Sequence, residues 1–199
     1  YLGVDVVARR MSSDGSPSTA GPRRSTLRTG VRHWAPAIAV SLTTFLIVVN
    51  ASLMNVAIPT MVDEFDTTVT VIQGAVAGYS LVIAALVLPA GTLPSRRSSR
   101  RVMAIALLVY AGGTLVASIS WNTAVLYLGW AFIEGAAAAV LFPLTYTVLT
   151  VSYEDDDRAT AFGLLAGISG LGSTLGPIIG GALTTYASWR WGFALQLVG

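Results

Sequence analysis

Between Gly170 and Gly181 the chain reads Gly-Leu-Gly-Ser-Thr-Leu-Gly-Pro-Ile-Ile-Gly-Gly, inside an otherwise apolar run. Each glycine within a helix costs about 1 kcal/mol relative to alanine. Pro177 removes the backbone hydrogen bond to the Ser173 carbonyl and its ring clashes with that turn. A water-soluble core has little reason to accept both defects. A membrane helix does, because bare backbone lets a neighbouring helix approach closely and neighbours re-satisfy the freed carbonyls. Gly172, Gly176 and Gly180 recur every fourth residue, so they line one face of a helix. The segment predicts a membrane helix gripped closely by a neighbour and bent at one place.

Composition agrees. Of 199 residues, 54% are hydrophobic and 11% charged, against about 25% charged in average globular chains. All twelve basic residues are arginines, the formal net charge is +2, and the arginines cluster between the apolar runs. That pattern reflects membrane topology and not a nucleic-acid-binding face. No cysteine and a single histidine exclude a disulfide framework, a thiolate metal site and a histidine-rich metal centre. No nucleophile–base set and no strand-borne phosphate loop is present, so neither an enzyme nor a cofactor-binding protein is expected.

Residues 1–33 are rich in Ser, Gly, Pro, Thr and Arg and read as a disordered basic tail. Residues 34–199 read as a membrane domain. Five apolar spans are complete, at about 35–57, 72–93, 102–120, 124–148 and 161–184, and a sixth opens at about 191 and is cut off at 199. Each complete span is long enough to cross roughly 30 Å of hydrocarbon at about 1.5 Å per residue. A chain that starts at Tyr1 and stops at Gly199 within an apolar run is expected to be a fragment. Arginine placement sets orientation. Arg23, Arg24, Arg28 and Arg32 precede span one, and Arg96, Arg97, Arg100 and Arg101 follow span two, whereas the connection after span one carries Asp63, Glu64 and Asp66 and no arginine. A cytoplasmic N-terminus follows, in a multi-pass protein of the cell membrane. Trp34, Trp121, Trp189 and Trp191 are expected as interfacial anchors, Arg158 as another, and Arg190 as an anchor or a partner for a residue farther along the protein. No special role is expected of His33.

The motifs, in order, resemble the major facilitator superfamily, and within it the 14-helix drug:proton antiporter branch. Gly172-Ser-Thr-Leu-Gly-Pro-Ile-Ile-Gly-Gly181 resembles the antiporter motif of the fifth helix, with Gly172, Gly176, Pro177, Gly180 and Gly181 as its carriers. Val49-Asn-Ala-Ser-Leu-Met-Asn-Val-Ala-Ile-Pro59 is similar to the first-helix signature of that branch, Leu-Asp-x-Thr-Ile-Val-Asn-Val-Ala-Leu-Pro. Ser188-Trp-Arg-Trp-Gly-Phe193 is similar to the segment that opens the sixth helix. Gly91-Thr-Leu-Pro-Ser-Arg96, continued by Arg100, resembles the cytoplasmic loop motif between the second and third helices, with Gly91, Leu93, Arg96 and Arg100 at its matching positions. The resemblance implies an all-α integral membrane protein, here the N-terminal six-helix bundle of a major facilitator fold.

Departures from the pattern matter as much. Ser95 stands where the loop motif has Asp, and Ser98 where it has Gly. The fourth-helix motif, normally Arg-x-x-Gln-Gly, reads Ala131-Phe-Ile-Glu-Gly135, and the first-helix acid is replaced by Asn50. Glu134 is thereby the one acidic residue within a complete span. A charge at the bilayer centre costs about 2.5–3.5 kcal/mol on insertion scales, and hydrocarbon disfavours the ionised form of a carboxyl. A carboxyl that gains and loses a proton is what a proton-coupled carrier needs; the alternative is a protonated side chain replacing the usual Gln as a hydrogen-bonding group. Counted along their helices, Asn50 and Glu134 lie at similar depth, roughly 20 Å from one face. The resemblance further implies that spans one and four, equivalent in the family's paired three-helix repeats, line the central cavity, so Asn50, Ser52, Asn55 and Glu134 are expected to face one wet cleft, with Asn55 open to a purely structural reading.

The resemblance implies a secondary active transporter, exporting small amphipathic compounds in exchange for protons by alternating access. Its partners would be the bilayer, a small-molecule substrate, protons and the C-terminal helices of a longer protein, with no nucleic acid and no cofactor. The alternatives are a transport-inactive relative acting through membrane interactions, suggested by the changes at Asn50, Ser95 and Ala131, and a facilitator or importer of the same fold.

Overall fold

The computed structural model describes residues 31–92 and 99–198, and they form six helices. α1 runs Val31–Glu64, α2 Val69–Gly91, α3 Ser99–Ser118, α4 Thr123–Ser152, α5 Asp155–Tyr186 and α6 Arg190–Val198. The first 30 residues of the expected tail, and Leu93 and Arg96 of the loop motif, lie outside the described residues. Arg32 and His33, assigned to the tail from sequence, belong to the first turn of α1.

Helices α1 to α5 are each long and apolar enough to cross a bilayer. Each expected complete span overlaps one of them, with span two running past the end of α2 at Gly91 and span three past the end of α3 at Ser118. The 34 residues of α1 extend about 50 Å, well beyond the hydrocarbon, so its two ends stand clear of the lipid core. The chain turns after α1 through Asp66, whose φ of 45° lies in the left-handed region that aspartate tolerates. Asn122 caps α4, its side chain accepting from the Val125 amide at 2.9 Å.

Helix α5 packs along α1, α2 packs along α4 and mostly on its second half, and α3 lies between the first half of α4 and α6. Leu53, Met54, Ala57 and Met61 of α1 meet Trp130 and Leu141 of α4, and Trp189 and Phe193 around α6, in the main core. A second cluster, with Ala37, Val40, Leu149, Tyr153 and Leu165, closes the end where α1 begins. Outward faces carry Leu81, Leu88, Leu108, Ile119 and Ile178, each more than half exposed, as lipid-facing positions require.

One irregularity positions the site. Within α4, Tyr127–Glu134 winds as a π-helix, a rare form that frequently marks functional sites. There α3 and α4 meet backbone to backbone. A Cβ on Gly113 would lie 2.7 Å from both the Glu134 amide nitrogen and the Gly129 carbonyl oxygen, and one on Gly129 would lie 2.6 Å from the Ala117 nitrogen. Two glycines with nothing between them bring Glu134 onto α3.

Candidate functional site: a buried carboxyl in the bundle core

Glu134 is 0% exposed. Its two carboxyl oxygens are held separately. Asn50 Nδ2 of α1 donates to Oε1. Thr114 Oγ1 of α3 lies 3.0 Å from Oε2 and 2.9 Å from the Tyr110 carbonyl oxygen. Asn50 Nδ2 also reaches the Tyr110 hydroxyl at 3.3 Å. That hydroxyl donates to Gln196 Oε1 of α6 at 2.8 Å, and Gln196 Nε2 donates to the Gly192 carbonyl at 3.2 Å. Four helices thus meet in one buried polar chain. Among the described residues Glu134 has no ion-pair partner.

Two of the four residues expected in the cleft are absent from this cluster. Asn50 and Glu134 do meet. Ser52 points to α5, where its Cβ blocks the space a side chain on Gly176 would need. Asn55 is exposed and donates back to the Ala51 carbonyl at 2.9 Å. The cluster also differs from a wet cleft in that Asn50, Thr114 and Glu134 are buried within this single bundle. Tyr110, Thr114 and Gln196 went unnoticed in the sequence. Their signal was there, as polar side chains within apolar spans, with Tyr110 and Thr114 one turn apart on α3.

At the position where the family pattern has a membrane-embedded arginine, Ala131 is fully buried and faces Gly78 of α2, whose Cβ would lie 3.6 Å from that of Ala131. Beside it Tyr79 and Trp130 stack at 5.2 Å between centroids. The α2–α4 seam is closed to a long side chain there.

The glycine stripe meets α1. Gly172 lies against Phe45 and Val48, Gly176 against Val49 and Ser52, and Gly180 against Leu53, with Cβ positions blocked by α1 backbone at 3.1–3.3 Å. Gly181 lies at the margin, 4.0 Å from Val56 Cγ1. Pro177 sits inside an α5 that continues to Tyr186. Gly91 ends α2, and Arg100 falls in the first turn of α3.

Each end of α1 is tied down. At its C-terminal end Glu64 accepts from Trp189 Nε1 at 2.5 Å and pairs with Arg190 Nη1. Arg190 Nη2 donates to the Ser120 carbonyl at 2.6 Å. Trp189, expected as an interfacial anchor, is instead fully buried: its indole N–H finds a carboxylate, and its ring packs on Phe65 and Phe193. Arg190 finds its partner within this chain. Trp121 and Trp191 are exposed, consistent with anchors. At the other end His33 Nε2 pairs with Asp157 Oδ2 at 3.1 Å. The Tyr153 hydroxyl donates to the His33 carbonyl at 2.8 Å and accepts from the Ala37 amide at 3.2 Å. His33 therefore has a defined place, between Trp34 and Tyr153. Burial pushes the Tyr153 phenol above its ordinary range, which keeps it a neutral donor. Arg158 donates to the Tyr153 and Thr150 carbonyls at 3.0 and 3.2 Å, closing the end of α4.

Comparison with known proteins fits this architecture. The puromycin resistance protein pur8 of Streptomyces alboniger is 28% identical over 161 residues, 80% of this chain and 32% of its own length. The methylenomycin A resistance protein of Bacillus subtilis is 31% identical over 169 residues, 84% of this chain and 35% of its own. The multidrug efflux pump LfrA of Mycolicibacterium smegmatis is 31% identical over 177 residues, 88% and 34%. The chain spans about a third of the length of these relatives. The Major Facilitator Superfamily model matches residues 40–199. A bundle of membrane-length helices, matched from within α1 to the last residue, makes this chain a multi-pass membrane protein that belongs to the Major Facilitator Superfamily, a family of transporters and not of enzymes.

Proposed function

We propose that this chain is the first six-helix bundle of a proton-coupled exporter of small amphipathic compounds, of the 14-helix drug:proton antiporter branch, working by alternating access. The observation that carries the reading is the Glu134 carboxyl, buried among neutral donors with no cation beside it among the described residues. Neutral when protonated and uncompensated when ionised, it makes the bundle's energy depend on the proton. A proton bound there drives a conformational change only if the two facing states hold it with different affinity. Relatives named for resistance and efflux support the direction of transport.

In this reading Glu134 is the proton site and Asn50 its donor. The Gly172–Gly176–Gly180 stripe with Pro177 forms the α1–α5 seam, where close packing limits leakage and Ser52 lies. Asn55, exposed on α1, is left for the cavity between this bundle and the C-terminal helices. Gly91, Leu93, Arg96 and Arg100 carry the cytoplasmic loop motif, which lacks the acid of the family's inward latch where Ser95 stands, and the N-terminus lies in the cytoplasm at the cell membrane.

Glu134→Gln in the protein reconstituted in vesicles is expected to abolish substrate efflux driven by an imposed proton gradient, while counterflow of substrate without a gradient persists. Gradient-driven efflux at the unmutated rate would rule the role out. The complete satisfaction of Glu134 by hydrogen bonds favours one second reading, a carboxyl that only replaces glutamine in a transport-inactive relative. That reading expects no gradient-driven substrate movement from either protein.

A further inference from the structure

We propose that the Thr114 hydroxyl is a two-position hydrogen-bond switch that lets Glu134 be held with or without its proton, and that Tyr110 and Gln196 fix the Asn50 amide that both states use. The proposal rests on the reading of Glu134 as a proton site and adds how a buried site accommodates both of its states.

Proton counting forces the switch. Thr114 carries one hydroxyl proton and has two oxygens in reach, the Tyr110 carbonyl at 2.9 Å and Glu134 Oε2 at 3.0 Å. It donates to one at a time. When Glu134 is ionised, Oε2 has no proton, so Thr114 donates to it. When Glu134 is protonated on Oε2, that O–H donates to Thr114 Oγ1, and the threonine proton turns onto the Tyr110 carbonyl. Both arrangements use the same heavy-atom positions, so only a hydroxyl rotor moves. A hydroxyl is both donor and acceptor, which a methyl cannot imitate.

The other oxygen keeps one partner throughout. Oε1 accepts from Asn50 Nδ2 in either state. This requires Asn50 to present its NH2 and not its carbonyl, because a flipped amide would set an acceptor against a carboxylate. The direction is fixed from α6 inward. Gln196 Nε2 is committed to the Gly192 carbonyl, which turns Gln196 Oε1 toward α3. The Tyr110 proton goes to that oxygen, leaving the phenol oxygen as an acceptor for the second Asn50 proton. Asn50 Oδ1 is left buried without a hydrogen-bond partner, an arrangement that burial disfavours. The amide thus forgoes a bond to its own carbonyl in order to keep both donors where they are. Thr114, Tyr110 and Gln196 are positioning residues in this scheme.

Among the described residues the groups facing Glu134 are few. α1 presents Asn50, α3 presents Thr114 and the phenol of Tyr110, and α2 contributes the phenol of Tyr79, buried against α4. Gln196 of α6 acts through Tyr110. None carries a formal charge, so the proton on Glu134 is the one charge change that the switch follows.

Infrared difference spectroscopy on the protein in lipid vesicles, with the tyrosine carbonyls carbon-13-labelled, tests this directly. The Glu134 carboxyl band is assigned by its loss in Glu134→Gln, and the Tyr110 carbonyl by its loss in Tyr110→Phe. As acid protonates Glu134, the Tyr110 carbonyl band is expected to shift to lower frequency in step, because it gains the threonine proton. Thr114→Ser is expected to retain that shift. Thr114→Val, nearly the same shape, is expected to lose it while the carboxyl band persists. A carboxyl band that titrates while the Tyr110 carbonyl stays fixed, or one that moves equally in Thr114→Val, overturns the switch alone. A carboxyl band that never changes with pH overturns both the switch and the proton-site reading beneath it.

Discussion

On a helix turning about 100° per residue, Asn50 and Ser52 stand about 160° apart, and Asn50 and Asn55 about 140°. Helical geometry alone therefore divided the expected cleft, and the structure divides it the same way: Asn50 goes to Glu134, Ser52 to α5 and Asn55 to an exposed face. Depth along the helices pairs Asn50 with Glu134, and azimuth separates Ser52 and Asn55 from them. What no single sequence displays is which glycines are crowded. Gly167 and Gly176 look alike in the same helix, yet a Cβ on Gly167 meets nothing within 4 Å and one on Gly176 runs into Ser52 and the Val49 carbonyl. Gly176→Ala is accordingly expected to destabilise the bundle by about 1–3 kcal/mol, whereas Gly167→Ala is expected to be neutral or to add up to about 1 kcal/mol of helix propensity. Unfolding of the chain in detergent micelles by increasing denaturant measures both, and equal losses at the two sites would sink the argument. Gly113→Ala should be worse than either. Its Cβ meets backbone at Glu134 and Gly129, so no side chain can give way.

At the scale of elements, α1 is the piece the others are built on, tied at both ends and gripped along its middle. Its two ties are chemically unlike. The His33–Tyr153–Asp157 tie sets the His33 ring edge-on to Tyr153, stacks Trp34 on Tyr153 and joins His33 Nε2 to Asp157 by a hydrogen bond. The other uses the planar fork of Arg190 to hold Glu64 and the Ser120 carbonyl at once, geometry that a lysine's point charge does not reproduce. Both Glu64 and Arg190 keep about a third of their side-chain surface exposed, so solvent screens the charge component and the directional bonds matter more. Arg190→Ala is expected to loosen the α5–α6 turn. In hydrogen-exchange mass spectrometry the amides of Ala187, Trp191 and Gly192, now bonded within that turn, should exchange at least tenfold faster, with Arg190→Lys intermediate. Ala37 at the opposite end should stay unchanged, and acceleration there too would mean that the ties are not independent. The helices themselves were legible, because hydropathy over about 20 residues is a strong signal. The π-helical turn of α4 was not. It arises where Gly113 and Gly129 let two backbones touch, a pairing between helices that no local pattern encodes.

For the whole molecule, the hydrogen bonds define two ends without reference to any membrane. Glu64, Ser120 and Arg190 share one end, and His33, Tyr153 and Asp157 share the other. Which end faces the cytoplasm follows from charge. Among the described residues Arg190 is the one arginine at the first end, whereas Arg32 and Arg158 lie toward the second and the arginine-rich segments around residues 23–32 and 96–101 adjoin it in sequence, so the second end is expected inside. The absence of cysteine from the chain makes this testable without background. Thr68, exposed before α2 and making no capping bond, and Ser152, exposed at the end of α4, are separated by α2, α3 and α4 and must emerge on opposite sides. With Thr68→Cys, a membrane-impermeant maleimide should label intact cells. With Ser152→Cys it should label only after permeabilisation. The reverse pattern would keep the bundle and invert its orientation, turning the proposed export direction around. Labelling of both from outside would mean that fewer than all three of these helices cross the bilayer, and the shared core around Glu134 would then lie at no membrane depth at all.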